Sequence, residues 1–162
     1  ISENGRIKKA AEDTLRQWDN VCIVRLPQLT GKGVYQYTPA RVARLLHQNA
    51  PVYLYHKGRV ALDFLDVLDA AHALARICEM GPTGVYNFGT GTPILLTDFA
   101  EALKAACHSA SELIYSDEEL GVNWAVLDPE KTKEQLQISF EMSLSRLIDD
   151  LVEPELKISY QA

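Results

Sequence analysis

The sequence predicts a mixed α/β fold with strands separated by helices. Two amphipathic stripes and one apolar run carry that expectation. Ile7, Ala11 and Leu15 recur every four residues, and Val67, Ala70, Ala71, Leu74, Ala75 and Cys78 keep to one helical face. Val21-Cys22-Ile23-Val24 is apolar at every position, bounded by Asn20 and by Pro27. Such a run fits a strand covered on both sides, as in a parallel sheet.

Along the chain, residues 7 to 17 read as a helix of good helix formers, stopped at Trp18-Asp19-Asn20. The apolar run from Val21 follows, and helix, turn and strand together make half of a crossover unit. Gly31-Lys32-Gly33 marks a loop. Pro39 opens a helix, because the first turn does not use the N–H that proline lacks, and Val42, Leu45 and Leu46 give that helix a buried side. Asn49-Ala50-Pro51 closes it. Val52 to Tyr55 is a strand, His56-Lys57-Gly58 a turn, and Leu62 to Leu65 a short strand. A second strong helix spans Asp66 to Glu79, with Asp66 or Asp69 accepting its first free N–H groups. Val85 to Phe88 is a strand between two glycine turns. Thr97 is expected to cap a helix from Asp98 to about Cys107, and Leu113 to Tyr115 is an edge strand. Asp128-Pro129 opens a short helix from Lys131 to Leu136, and Ser143 or Ser139 precedes a last one that ends near Val152. The tail after Pro154 is expected to be loose.

The chain has 162 residues, enough for a core that hides roughly 70% of the unfolded surface. Hydrophobic residues make up 47%, so the chain can collapse and disorder is excluded as its main state. The net charge of -6 and the lack of a basic stripe argue against nucleic acid as a partner. One or two focused arginines can still hold a small anion. Cys22, Cys78 and Cys107 are odd in number and without CxxC spacing, so they are expected to be inert core thiols in a reducing compartment. Apolar stretches fall short of a membrane span and no signal segment opens the sequence, so a cytoplasmic location is expected.

Few residues suggest chemistry by type and spacing alone. His47, His56, His72 and His108 are scattered, so no metal site is expected. Gly89-Thr90-Gly91 follows a strand but lacks the lysine or third glycine of a phosphate loop, and reads as a tight turn. Asp63, Asp66 and Asp69 form an acidic set in which helix-start chemistry explains Asp66 and Asp69 without catalysis. Lys8 by itself is a helix-surface lysine, and Arg25-Leu26-Pro27 reads as a strand and its stop.

Several segments, in order from Gly5 to about Leu151, nonetheless resemble one family. NGRIKKAAEDTL resembles the helix with the YxxxK pair, and CIVRLPQLTG the following strand with its R-P-x-x-V-x-G-P exit. GRVALDFLDVLDAAHAL resembles G-x-x-x-R-D-F-[IV]-x-V-x-D-[LV]-A-x-A, keeping Asp63, Phe64, Val67, Asp69 and Ala71. GVYNFGTG resembles Y-N-[VI]-G-x-G. LDPEKTKEQLQISFEMSLSRLIDDL resembles the closing D-x-x-K region through Asp128, Lys131, Leu136 and Leu144, with Gln137-Ile138-Ser139-Phe140 where Gly-Phe-x-Pro is usual. The chain is similar to the later part of an extended short-chain dehydrogenase/reductase, the group of NAD(P)-dependent sugar-nucleotide epimerases, dehydratases and reductases.

The resemblance implies the last helix and strand of a Rossmann-like parallel sheet, plus the smaller mixed α/β substrate-binding domain. Residues 1–34 would belong to the cofactor domain and 35–154 mainly to the substrate domain. Residues 60–90 would return to the Rossmann sheet, and 155–162 would form the tail. It implies catalysis at Lys8, and NAD or NADP contacts from Lys8, Pro27, Gln28 and Leu29. Substrate contacts would come from Arg59, Arg41 and Asn87. Two positions depart from the pattern. The tyrosine position holds Asn4, whose amide has no proton to lose near neutral pH, and the arginine of R-D-F is Leu62. The glycine-rich cofactor fingerprint precedes all of these segments in the family. The sequence is therefore expected to be a fragment, a cleavage product or one polypeptide of a split protein. Its partners would be the missing amino-terminal half, a second copy through helix 7–17, and a small-molecule substrate, and alone it would be inactive. The alternative is a non-catalytic binding or assembly protein on the same scaffold, which Asn4 and Leu62 favour. A third reading is an unrelated α/β structural domain.

Overall fold

Helices and short strand pairs alternate along the chain in the computed structural model, which describes residues 3–119, 121 and 123–152. The tail expected at 155–162 lies outside the described residues. Helix α1 (Glu3–Leu15) leads to strand β1 (Cys22–Arg25), and β2 (Gln28–Thr30) follows at once. Helix α2 (Thr38–His47) carries Pro39 in its first turn, where no intrahelical N–H is needed. Its buried residues Pro39, Ala40, Val42, Ala43 and Leu46 form one apolar stripe. Strand β3 (Val52–Leu54) ends in a 3-10 turn at His56–Gly58.

The single strand expected at 62 to 65 is two, β4 (Ala61–Leu62) and β5 (Phe64–Asp66), parted at Asp63. Helix α3 (Val67–Met80) begins where the Asp66 carboxylate accepts from the N–H groups of Leu68 at 2.7 Å and Asp69 at 3.3 Å. It stops at Gly81, whose φ of 63° is open to glycine at little cost. Strands β6 (Gly84–Asn87) and β7 (Ile94–Leu95) then precede α4 (Leu96–Ala106). Thr97 does not cap α4. The helix starts two residues earlier than expected, and the Thr97 hydroxyl donates to the Gly58 carbonyl at 2.7 Å. Strands β8 (Leu113–Tyr115) and β9 (Trp124–Ala125) are followed by α5 (Glu130–Leu136) and α6 (Leu144–Val152). Ser143 Oγ accepts from the Arg146 N–H at 3.2 Å in the first turn of α6, as expected of a serine before a helix.

The pairing is mostly parallel. β1 lies beside β6 with Cys22 opposite Gly84 and Arg25 opposite Asn87. β2 lies beside β5, and β3 beside β8. β4 runs antiparallel to β7 and parallel to β9. Parallel pairs need long connections, which the intervening helices supply. Strands β2, β7 and β9 are too short, at two or three residues, to show a pattern in sequence.

Two apolar clusters hold these elements. One gathers α2, β3, β4, α4 and α6 around Leu46, Leu54, Phe64, Phe99, Leu103 and Leu147. The other packs α3, β6 and α5 around Leu65, Ile77, Tyr86, Phe88, Leu136 and Phe140. Phe64 and Leu65 are adjacent in β5 and alternate between the two, as neighbouring strand residues must. Helix α1 belongs to neither. None of its residues is buried, and Ile7 of its apolar stripe is 63% exposed. Cys22 and Cys107 are half-buried, as core thiols at a margin would be, but Cys78 is exposed. It lies one step round the helix from buried Ile77, at the flank of the stripe. No helix among the described residues is long and apolar enough to cross a membrane. No cluster of three or more His, Cys, Asp or Glu side chains suited to a metal occurs among them either.

Candidate functional site

The carboxyl ends of β1 and β6 lie side by side, because the two strands are parallel and in register. Helix α1 is fastened to this end. The Arg25 guanidinium donates through Nε to Glu12 Oε1 at 2.8 Å and through Nη2 to Oε2 at 2.6 Å. This fork-to-carboxylate geometry is the strongest form of such a pair. The Arg25 hydrogen bond holds the Glu12 carboxyl below its ordinary value and pushes the Arg25 guanidinium up.

Since the folded chain holds Glu12 at a depressed value, the unfolded chain takes up the proton first as pH falls. The pair's stabilisation is therefore complete above the ordinary value of 4.5 and is lost as pH drops through the lower folded value. Arg25 is 43% exposed, so solvent screening limits the contribution to about 0.5 kcal/mol. Urea midpoints should place Glu12→Gln below the parent chain at pH 7. The gap should close in acid, and a gap that widened in acid would contradict the assignment.

Lys8 stands one helical turn before Glu12, on the same face of α1. It lines a hollow of about 520 Å³ together with Lys9, Glu12, Asp13, Arg16 and Arg25. Lys9 is paired with Asp13 at 2.8 Å, and Arg16 and Arg25 with Glu12. Lys8 has no ion-pair partner among the described residues, so its ammonium is the one available there to a diol or an anion. Asn4 lies a further turn back and is exposed.

Asn87 ends β6 opposite Arg25. Its Nδ2 donates to the Asp128 carbonyl at 2.9 Å, and its own carbonyl accepts from the Thr132 hydroxyl at 2.8 Å. Its Oδ1 is buried with no hydrogen-bond partner. A buried acceptor left unpaired costs about 1–3 kcal/mol, so Asn87 is the residue here with capacity for one more donor.

The Gly89-Thr90-Gly91 turn does not open as a phosphate cradle. It wraps the carboxylate of Asp63, which is fully buried. Asp63 Oδ1 accepts from Thr90 Oγ1 at 2.6 Å and from Thr90 N at 3.2 Å, and Oδ2 accepts from Leu127 N at 3.3 Å and Gly91 N at 3.4 Å. A Cβ on Gly89 would overlap Asp63 Oδ2 and stand 2.7 Å from Leu127 Cβ, which is why no side chain fits there. The other acids are committed as well. Asp66 caps α3, and the Arg146 guanidinium reaches Asp69 Oδ2 at 3.0 Å and Asp66 Oδ2 at 3.6 Å.

The remaining candidate residues are dispersed. Pro27 and Gln28 are half-buried beside the end of β1, with the Gln28 N–H donated to the Asp63 carbonyl at 3.1 Å. Leu29 packs against the second cluster. Arg41 is exposed on α2, and Arg59 is exposed after the 3-10 turn. Neither lines the hollow around Lys8. The roles of Asp63 and of the Glu12–Arg25 clamp were not visible in sequence, since each depends on partners 13 to 64 residues away.

The model of the family described as NAD dependent epimerase/dehydratase matches residues 6–89, just over half of the chain. No curated protein matches it. Among solved structures, the UDP-glucose 4-epimerase of the hyperthermophilic eubacterium Thermotoga maritima, crystallised with UDP-glucose, aligns at a TM-score of 0.81 and 23% identity. The alignment covers 94% of this chain and 52% of that one. The Bordetella bronchiseptica enzyme WbmG, in complex with NAD, aligns at 0.77 and 22%, covering 90% and 46%. RMD from Pseudomonas aeruginosa, complexed with NADPH, aligns at 0.74 and 19%, covering 90% and 53%. At these identities the likeness is one of fold, and the chain spans about half the length of each structure.

Proposed function

The chain belongs to the NAD dependent epimerase/dehydratase family, and on that premise we propose that it forms the nicotinamide-facing and substrate-facing half of an enzyme acting on a nucleotide-sugar-like substrate. One observation carries the reading: the Glu12–Arg25 clamp sets Lys8 in the hollow beside Arg25, the residue that ends β1 at the carboxyl end of the parallel β1–β6 pair. Ligands of open α/β sheets bind outside that end of the strands. Further support comes from solved relatives of the same fold, crystallised with NAD, NADPH or UDP-glucose.

In this reading Lys8 donates to the hydroxyls of the nicotinamide ribose, and Pro27, Gln28 and Leu29 flank the ring. Arg59, Arg41 and Asn87 contact the substrate. A bound nicotinamide supplies the hydride chemistry. The backbone cradle for the pyrophosphate comes from a companion segment outside this chain. Residues 1–34 and 60–90 then form the sheet side, and the rest of 35–154 forms the substrate domain. Two copies of the whole cytoplasmic protein pair through α1, whose Ile7 and Leu15 are exposed.

The test is calorimetric titration of NAD and NADP into the whole protein and its Lys8→Ala variant. Loss of a charge-assisted donor should weaken binding about tenfold or more. Unchanged affinity would remove Lys8 from the role. Turnover of a sugar nucleotide by residues 1–162 alone would contradict the half-enzyme reading. A second reading, a non-catalytic binding protein on the same scaffold, is favoured by Asn4, an amide where the family's proton-exchanging tyrosine belongs. Dinucleotide binding by the whole protein without any turnover would select it.

A further inference from the structure

The three thiols are not equivalent in space. Cys22 opens β1 directly opposite Gly84, the first residue of β6. Helix α3 ends at Met80 and needs only Gly81, Pro82 and Thr83 to reach that same Gly84. The last turn of α3 is therefore one three-residue link away from the residue that faces the beginning of β1. The half-buried Cys22 side chain packs against the cluster that contains Ala73 and Ile77, with Leu74 beside it. Cys78 follows Ile77 by one residue and Leu74 by one helical turn, so it flanks the face that α3 turns to the cluster Cys22 packs against. It is exposed to solvent. Burial first, and a charge on Cys78 second, push the Cys22 thiol up, while Lys131 draws it down. Cys107 is elsewhere, at the margin of the other cluster, with its Sγ 3.8 Å from His47 Nε2.

We propose that Cys22 and Cys78 form a dithiol modification site that closes to an intrachain disulfide when the protein meets a small-molecule disulfide such as oxidised glutathione. Exposed Cys78 reacts first. Its thiolate attacks one sulfur of the reagent, forms a mixed disulfide and expels one thiolate. Cys22 then gives up its proton and attacks the Cys78 sulfur, and the second reagent thiolate leaves. Two protein thiols are oxidised, the reagent disulfide is reduced to two thiols, and both protons go to the released thiolates. The bond ties the start of β1 to the last turn of α3.

The experiment treats the folded whole protein with oxidised glutathione, digests it without reduction, and maps the linked peptides by mass spectrometry. The expected product joins the Cys22 and Cys78 peptides in about tenfold or greater excess over either pairing with Cys107, since a disulfide forms only where Cα atoms already lie close. The link should vanish in Cys78→Ser, and in denaturant the three pairings should become comparable. The thermal midpoint of the oxidised protein should rise by several degrees and return on reduction. Accumulation of glutathione on Cys78 without transfer to Cys22 would overturn the proposal. So would preferential pairing of either thiol with Cys107.

Discussion

Replacing Asp63 with alanine should cost about 3–5 kcal/mol of folding stability, because it breaks a buried hydrogen-bond network and orphans several donors at once. The carboxylate is fully buried and gathers donors from three places: the Thr90 hydroxyl and N–H, the Gly91 N–H and the Leu127 N–H. Alanine removes the acceptor and leaves these groups without it in a space too tight for a β-carbon at Gly89. Each orphaned buried donor costs about 1–3 kcal/mol, with the bonds at 3.3 and 3.4 Å at the low end. Asp63→Asn keeps the volume but turns an NH2 toward donors, so it should lose a smaller, still measurable share. Urea midpoints with an unchanged slope are the measurement. A loss below about 1 kcal/mol for the alanine variant would mean that water replaces the carboxylate without penalty. The same variant should free the Gly89-Thr90-Gly91 turn, seen as a larger gain in amide exchange over the parent chain at Thr90 and Gly91 than at the fully buried Leu103.

Phe99→Ala should cost a similar amount by a different route. Phe99 projects from α4 into the first cluster with no exposed surface, and its ring centroid lies 6.2 Å from that of Phe64, tilted by 35°. Truncation forfeits the transfer of the ring from water and leaves a cavity among Phe64, Leu103 and Leu147 that close packing cannot refill. Phenylalanine truncations of this kind cost about 3–5 kcal/mol. Because Asp63 adjoins Phe64 in sequence, the double variant tests whether the two losses are independent. A sum within about 0.5 kcal/mol would show separate effects, and a shortfall would show that both act through β5. Chemical denaturation of the four chains measures it.

Helix α3 shows how much was legible before folding. Its apolar spacing, the acid at its start and the glycine at its end are all local, and the observed element runs from Val67 to Met80 with Asp66 as cap. Helix α2 and strand β1 were readable for the same reason. Thr97 shows where local reading fails. A threonine ahead of an apolar stripe is a reasonable cap, but its hydroxyl is taken by the Gly58 carbonyl, 39 residues away. Cys78 fits an apolar stripe by spacing, yet the strands beneath α3 cover only part of that face and leave it exposed.

The candidate site divides along the same line. The order of the motifs around Lys8, Asp63 and Asn87 sufficed to indicate the family and to single out Lys8. That Lys8 stands at the carboxyl end of two strands depends on the salt bridge between Glu12 and Arg25, which no periodicity announces. Asp63 belonged to an acidic set in which capping was the explanation for Asp66 and Asp69. That explanation holds for Asp66, while Asp63 instead anchors a glycine turn and the segment at Leu127.

By itself the sequence determined the alternation of helices and strands, most of their boundaries, and membership in the family. These follow from side-chain periodicity and turn chemistry within a few residues of each position. Only the tertiary structure decided which strands pair, that the apolar face of α1 is left uncovered, and which acids are buried, capping or paired. Burial and hydrogen-bond partners are set by segments that meet across tens of residues, and a one-dimensional pattern carries no record of those meetings.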